Sequence, residues 1–329
     1  MPLLDVENLT VTLQTAHGPA RAVRDLSFTL ERGQTLGIVG ESGCGKSMTA
    51  LAVMGLLPEN GIATGAVRLE GTNLLDLGER QMCDVRGNRL AMVFQEPMTS
   101  LNPLHTVGRQ IGEALRLHRG LAPGRARSES LRLLEQVGIP EPARRLDTFP
   151  HQLSGGQRQR VMITMALSCN PDVLIADEPT TALDVTIQKQ ILELIAQLVE
   201  DLDMGLILIS HDLGVIAETV NRVMVMYGGA CVEEGDTAQV FRGIAHPYTQ
   251  GLFSAVPQID YRPRRLMTIP GTVPDLIDLP TGCTFAGRCG LAIGPCRERL
   301  PEMQPAGTGH RVACIRADDA RSQWDRGAT

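Results

Sequence analysis

Apolar residues along the chain recur in short runs bounded by glycines and polar residues, and between the runs lie stretches with apolar positions at helical spacing. Residues 3–13 alternate apolar and polar, His17-Gly18-Pro19 marks a turn, and residues 22–30 alternate again, which predicts an antiparallel hairpin. A buried strand over 35–39 ends at Gly40, and a helix over 47–57 follows a glycine-rich loop. The pattern next predicts a strand over 65–70, a short helix over 74–85 and a strand over 89–97. From about 97 to 150 the period is helical, with amphipathic stretches over 107–117 and 128–137 and an exit punctuated by Pro140, Pro142 and Pro150. Beyond it come a long helix opening near Ser154, a buried strand over 173–178, a helix over 185–201 and a buried strand over 205–212. A last hairpin pairs 220–226 with 230–233 around Gly228-Gly229. Buried strands alternating with helices define an α/β core, preceded by an antiparallel β hairpin subdomain and interrupted by an inserted α-helical subdomain.

The loop after the first buried strand is Gly40-Glu41-Ser42-Gly43-Cys44-Gly45-Lys46-Ser47, which fits the phosphate-loop pattern G-x-x-x-x-G-K-[ST] at every fixed position. Glycines let such a loop fold tightly enough for its backbone N–H groups to face phosphate oxygens, and the following helix aims its free N-terminal amides at the same place. Lys46 supplies a charge to the outer phosphates and the Ser47 hydroxyl a ligand to magnesium, with Met48 the next residue of the same cradle. Cys44, beside Lys46 at a helix start, is expected to be a stabilised thiolate whose alkylation inactivates the protein and which nucleotide protects.

Polar residues collect where other strands end. Gln95 closes one apolar strand and is placed to bind magnesium or a water. Leu153-Ser154-Gly155-Gly156-Gln157 opens a helix with an N-cap serine and two bare amides, a second anion-binding helix start. The phosphate loop already surrounds one side of a nucleotide, so this second start is best used in a head-to-tail dimer, on the γ-phosphate held by the other chain. The strand over 173–178 ends in Asp177 and Glu178, which suits a magnesium–phosphate site with Asp177 facing the metal, directly or through water, and Glu178 the attacking water. Asp184 falls at the dimer seam and at the start of a helix it can cap. His211 ends the next strand, where ligands gather in open α/β sheets, and is placed to meet the γ-phosphate or orient Glu178.

Composition narrows the class. The 329 residues are 43% hydrophobic and 21% charged, which fits a folded globular chain, and the net charge of −6 argues against a nucleic-acid coat. No apolar run is long enough to cross a bilayer, so a cytoplasmic protein that docks on a membrane partner is expected. Of eight cysteines, Cys283, Cys289, Cys296 and Cys314 crowd into the last fifth of the chain. Disulfides explain that poorly in the cytoplasm, and metal or cluster binding explains it better. The spacing lacks the short C-x2-C pairs of structural zinc, and four thiolates suffice for a [4Fe-4S] cluster; zinc and free thiols stay open. His310 reads as a structural hydrogen-bonding residue more than a ligand.

Gly40 to Ser47, Gln95, Leu153 to Gln157, Asp177, Glu178, Asp184 and His211 together, in this order, resemble the ABC-type ATPases over roughly the first three quarters of the chain. The resemblance implies a RecA-like P-loop ATPase core, ATP and Mg2+ as ligands, hydrolysis with Glu178 as base, helped by Lys46, Gln95 and His211, and a nucleotide-sandwich dimer with a copy or a paralogue. An aromatic residue usually covers the adenine in this layout; here the position falls on Leu13. The run Glu96-Pro97-Met98-Thr99-Ser100-Leu101-Asn102-Pro103, the run His246-Pro247-Tyr248-Thr249 and the cysteine segment resemble ATPases of dipeptide and oligopeptide importers. They imply a cassette over 1–245 with a helical subdomain over about 97–150, a small Cys-rich C-terminal region over 246–329 with a cluster assigned to its cysteines, two membrane permease subunits, an indirect solute-binding protein, and a peripheral place on the cytoplasmic face of the inner membrane. A soluble non-transport ABC ATPase, an importer ATPase for nickel or glutathione-like solutes, and a regulatory iron–sulfur protein are the competing readings.

Overall fold

The computed structural model describes residues 1–96, 100–181, 183–255 and 269–327. Pro97, Met98, Thr99 and Ala182, which fall within the importer-like run and beside Asp184, lie outside the described residues. The strands are β1 (Leu4–Thr15), β2 (Gly18–Leu30), β3 (Thr35–Val39), β4 (Gly61–Leu69), β5 (Thr72–Asn73), β6 (Leu90–Val93), β7 (Val173–Asp177), β8 (Gly205–Ser210), β9 (Arg222–Tyr227), β10 (Ala230–Asp236), β11 (Gln304–Gly307) and β12 (His310–Val312). The described chain divides into two compact units, one made of 1–4, 30–34 and 76–207, the other of 5–29, 35–75 and 208–329.

In the first unit β6 and β7 pair in parallel, Leu90 opposite Val173 through Val93 opposite Ala176. Every residue of both strands is buried, as expected of parallel strands covered on both faces. The helices Val107–Arg119 and Pro123–Gln136 follow β6. Thr106 caps the former, accepting from the Arg109 N–H, and Pro123 opens the latter, where its missing N–H costs nothing. That proline is why the second helix begins five residues ahead of the expected 128. Helices Gly155–Leu167 and Val185–Leu202 complete the unit.

In the second unit, β2-β1-β4-β5 form a sheet built on the expected hairpin. A separate mixed sheet runs β11-β12-β10-β9-β3, with β3 parallel to β9 and β10 antiparallel to both β9 and β12. The C-terminal strands therefore extend the sheet that carries the phosphate loop. The helix after that loop, Lys46–Val53, is shorter than expected because Gly55 turns left-handed at φ 62°. The expected helix over 74–85 splits at Gly78 into a single turn, Leu74–Asp76, and the helix Glu79–Val85.

Candidate functional site

The phosphate-loop motif bridges β3 and the helix Lys46–Val53 in the second unit. Gly40 and Gly45 have φ of 153° and 103°, and a Cβ on them would come within 2.3 Å of the Met226 and Ala22 carbonyl oxygens respectively. Both positions therefore need glycine, for conformation and for space. Ser42 and Gly43 are exposed, Ser47 and Met48 half-buried, and no side chain caps the helix, so its first amides face the loop's concavity uncapped. Lys46 is buried, its Nζ donating to the carbonyls of Gly40 at 2.7 Å and Glu41 at 3.1 Å. The ammonium is thus folded back on its own loop. Leu13 on β1 is half-buried, with its Cδ2 close to Gly61.

The expectation for Cys44 is corrected. Its side chain is fully buried, and burial raises its thiol pKa more than the Lys46 charge lowers it. A thiol held this way is a packing residue and a poor nucleophile.

In the first unit, the Gln95 amide donates to the Glu178 carboxylate at 3.0 Å, and the Thr181 hydroxyl donates to the same oxygen at 3.0 Å. Glu178 has a left-handed φ of 45°, so the chain turns sharply as β7 ends and swings that carboxylate toward Gln95. Asp177, one residue earlier, is buried. Ser154 and Gln157 form a capping box, the Gln157 N–H donating to the Ser154 hydroxyl and the Ser154 N–H to the Gln157 side chain. A Cβ on Gly156 would meet Ile187 Cγ2 at 2.9 Å, and one on Gly155 would meet Leu183 Cδ2 at 3.4 Å. Asp184 caps the helix Val185–Leu202, accepting from the Ile187 N–H at 3.0 Å. His211, in the second unit, is exposed and directly follows β8, whose neighbour in the sheet is β3.

The C-terminal cysteines line one cavity without forming a compact ligand group. Among the described residues no three His, Cys, Asp or Glu side chains are grouped so as to hold a metal ion. Cys283, Cys289, Cys296 and Cys314 are instead spread around one cavity, together with His246 and Phe285. Burial raises the Cys283 and Cys289 thiols and pushes Cys314 up to about 11, while the Arg316 N–H donates to the Cys314 sulfur at 3.4 Å. Burial also lowers His246 to about 4, so it is neutral, and its Nδ1 accepts from the Tyr248 N–H at 3.1 Å. His310 has the structural role expected of it, with its Nε2 2.8 Å from the Glu233 carboxylate. Glu233 is fully buried and also accepts from the N–H groups of Ala245 and His246.

Pattern reading along the chain did not single out Glu41, Tyr248 or Arg288. The Glu41 carboxylate takes both terminal nitrogens of Arg288, at 2.6 and 3.0 Å, and the Glu41 N–H donates to the Tyr248 hydroxyl at 2.7 Å. Only the aromatic content hinted at this spot. With 3% aromatics in the whole chain, Tyr227, Tyr248 and Phe285 nevertheless pack together here.

A phosphate loop after a buried strand, in an α/β core with acidic residues at the end of a parallel strand, defines the P-loop nucleotide-binding class. Comparison with known proteins carries this further. Residues 23–181 match the ABC transporter family, and 232–296 match the oligopeptide/dipeptide transporter C-terminal region. The chain is 50% identical over 320 residues to the probable peptide ABC transporter ATP-binding protein y4tR of Sinorhizobium fredii, covering 96% of each. It is 48% identical to the oligopeptide transport ATP-binding protein OppD of Salmonella typhimurium, covering 95% of this chain and 93% of that one. The dipeptide transport ATP-binding protein DppD of Bacillus subtilis is likewise 48% identical, covering 95% of this chain and 94% of its own. Among solved structures, a dimeric post-hydrolysis state of the ATP-binding cassette MJ0796 bound to ADP and Pi superposes with a TM-score of 0.64 at 28% identity, over 71% of this chain and 98% of that one. The chain belongs to the ABC transporter family of ATP-binding proteins and has its ATPase cassette fold.

Proposed function

We propose that this protein is the ATP-hydrolysing subunit that powers import of peptides through a membrane ABC transporter, working on the cytoplasmic face of the inner membrane. The observation that carries the reading is near-50% identity to peptide importer ATPases along almost the whole chain, C-terminal region included. No helix among the described residues is long and apolar enough to cross a membrane, which agrees with a subunit that relies on two separate permease subunits and, through them, a solute-binding protein.

In this reading Gly40, Ser42, Gly43, Cys44, Gly45 and Met48 present backbone N–H groups to the ATP phosphates, and Lys46 leaves its loop carbonyls to meet the outer ones. Ser47, Gln95 and Asp177 would hold magnesium, directly or through water, with a hydroxyl, an amide and a buried carboxylate oxygen, and the ion would supply neutralisation of phosphate charge. Glu178 accepts the proton of the attacking water. Gln95 and Thr181 both donate to one oxygen of that carboxylate and so orient it. His211 meets the γ-phosphate side. A second cassette, a copy or a paralogue, brings its own Ser154, Gly155, Gly156, Gln157 and Asp184 to the same nucleotide.

Replacing Glu178 by Gln should lower kcat at least about a hundredfold while ATP binding persists and ATP holds the dimer together in size-exclusion chromatography. Reconstituted with its permease, the native complex should hydrolyse ATP faster when its binding protein carries peptide; stimulation by nickel or glutathione-like solutes alone would overturn the peptide assignment.

We further propose that the cysteine cavity receives a [4Fe-4S] cluster. Four thiols around one cavity, Cys296 buried and the other three half-buried, suit a group larger than one ion, whereas among the described residues nothing there is gathered tightly enough for zinc. The cluster would serve as a cross-link between 283–296 and 314. Protein purified without oxygen should carry about four irons and four sulfides per chain, lost when Cys296 is replaced; zinc in their place would overturn the assignment.

A further inference from the structure

Glu41 follows the first loop glycine and is not one of the motif's fixed positions, yet it is held from two directions. Its N–H donates to the Tyr248 hydroxyl, and its carboxylate is gripped by both terminal nitrogens of Arg288. Arg288 has only 7% of its side chain exposed. Its Nε donates to the Pro270 carbonyl at 2.8 Å, its Nη1 reaches the Tyr227 hydroxyl at 3.3 Å, and its guanidinium lies over the Tyr227 and Phe285 rings. The fork is therefore oriented by the Pro270 and Ile269 carbonyls of the C-terminal region and by Tyr227 on β9 as it meets Glu41, an arrangement a lysine could not reproduce. The next residue is Cys289, on the wall of the cysteine cavity. At the other end, the Glu41 carbonyl is one of the two that receive Lys46 Nζ. One peptide unit thus joins the cysteine-bearing tail to the phosphate-binding lysine.

We propose that Arg288 is a positioning residue for the phosphate loop: by fixing Glu41 it makes ATP affinity depend on the order of the C-terminal region, a reading that rests on the phosphate loop holding ATP. A loop clamped at Glu41 keeps its amides converged on one point before nucleotide arrives, so less order has to be created on binding. Linkage is reciprocal, and ATP must then tighten the tail as much as the tail tightens ATP.

Glu41→Gln, Arg288→Lys and the double variant of the full chain, purified without oxygen, would be titrated with a fluorescent ATP analogue and assayed for metal content. Each single change should weaken binding about tenfold, the loss of one charge-assisted paired contact, with metal per chain unchanged. The double variant should bind no worse than the weaker single one, because both remove the same contact. Maximal turnover should stay within about twofold of native, a loss of binding and not of chemistry. Magnesium and ATP should slow amide exchange over 283–289 in the native chain and leave it unchanged in Glu41→Gln, which a merely structural contact would not do. Native-like affinity in Glu41→Gln, additive losses, or no slowing of exchange would overturn the proposal, and Glu41→Gln decides it even if Arg288→Lys misfolds. Lys46→Ala separates the two readings. If that variant binds ATP normally the phosphate-loop assignment itself fails, and if it alone loses binding only the role of Arg288 fails.

Discussion

Cys44 shows how a single side chain is decided by two opposed effects. Lys46 Nζ lies 3.9 Å from its sulfur and favours the thiolate, while complete burial opposes it, and burial is the larger. Sequence spacing reveals the charge and the helix start but not the burial, because the atoms that cover Cys44 include the Gly40 backbone and come from folding of the loop on itself. A maleimide or iodoacetamide reagent should therefore modify the exposed Cys83 first and reach Cys44 only after denaturation. Peptide mapping after brief labelling checks this, and rapid labelling of Cys44 in the native chain would mean that the loop opens on that timescale. Gly40 and Gly45, by contrast, were legible as required glycines, since the motif's purpose is a backbone that curls against itself.

The elements that carry polar termini were legible almost to the residue. The strand over 35–39 appears with the expected bounds, and those expected over 173–178 and 205–212 end one and two residues early, at Asp177 and Ser210; all three are short, mostly apolar and punctuated. Ser154 and Asp184 cap the helices that follow them, because a side-chain oxygen one residue ahead of a helix satisfies an otherwise orphaned amide. Ser154→Ala should lower stability by about 1 kcal/mol in denaturant unfolding, and Asp184→Ala by a similar amount. If Ser154 also meets nucleotide across a dimer, its loss should reduce ATP hydrolysis far beyond what that destabilisation explains. Helix ends set by a left-handed glycine or a first-turn proline, as at Gly55 and Pro123, shifted by several residues because apolar spacing alone does not mark them.

At the scale of the molecule, the C-terminal region adds strands to the sheet that carries the phosphate loop. β12 pairs with β10, Glu233 opposite Val312 and Gly235 opposite His310, and His310 reaches the buried Glu233 carboxylate. His310→Ala should cost about 1–3 kcal/mol, the penalty of leaving a buried acceptor short of a partner, seen as a lower denaturant midpoint; an unchanged midpoint would show that the two backbone N–H groups suffice for Glu233. The sequence by itself determined the strand–loop–helix order, the phosphate loop, the strand-end carboxylates and the helix caps, because each depends on neighbours within a few residues and on simple periodicity. Only the tertiary structure decided that Gln95 holds Glu178, that Cys44 is buried, that the four C-terminal cysteines face one cavity and that Arg288 grips Glu41. Those contacts join residues between 83 and 247 positions apart or depend on what packs over a side chain, and no local pattern encodes which distant group arrives.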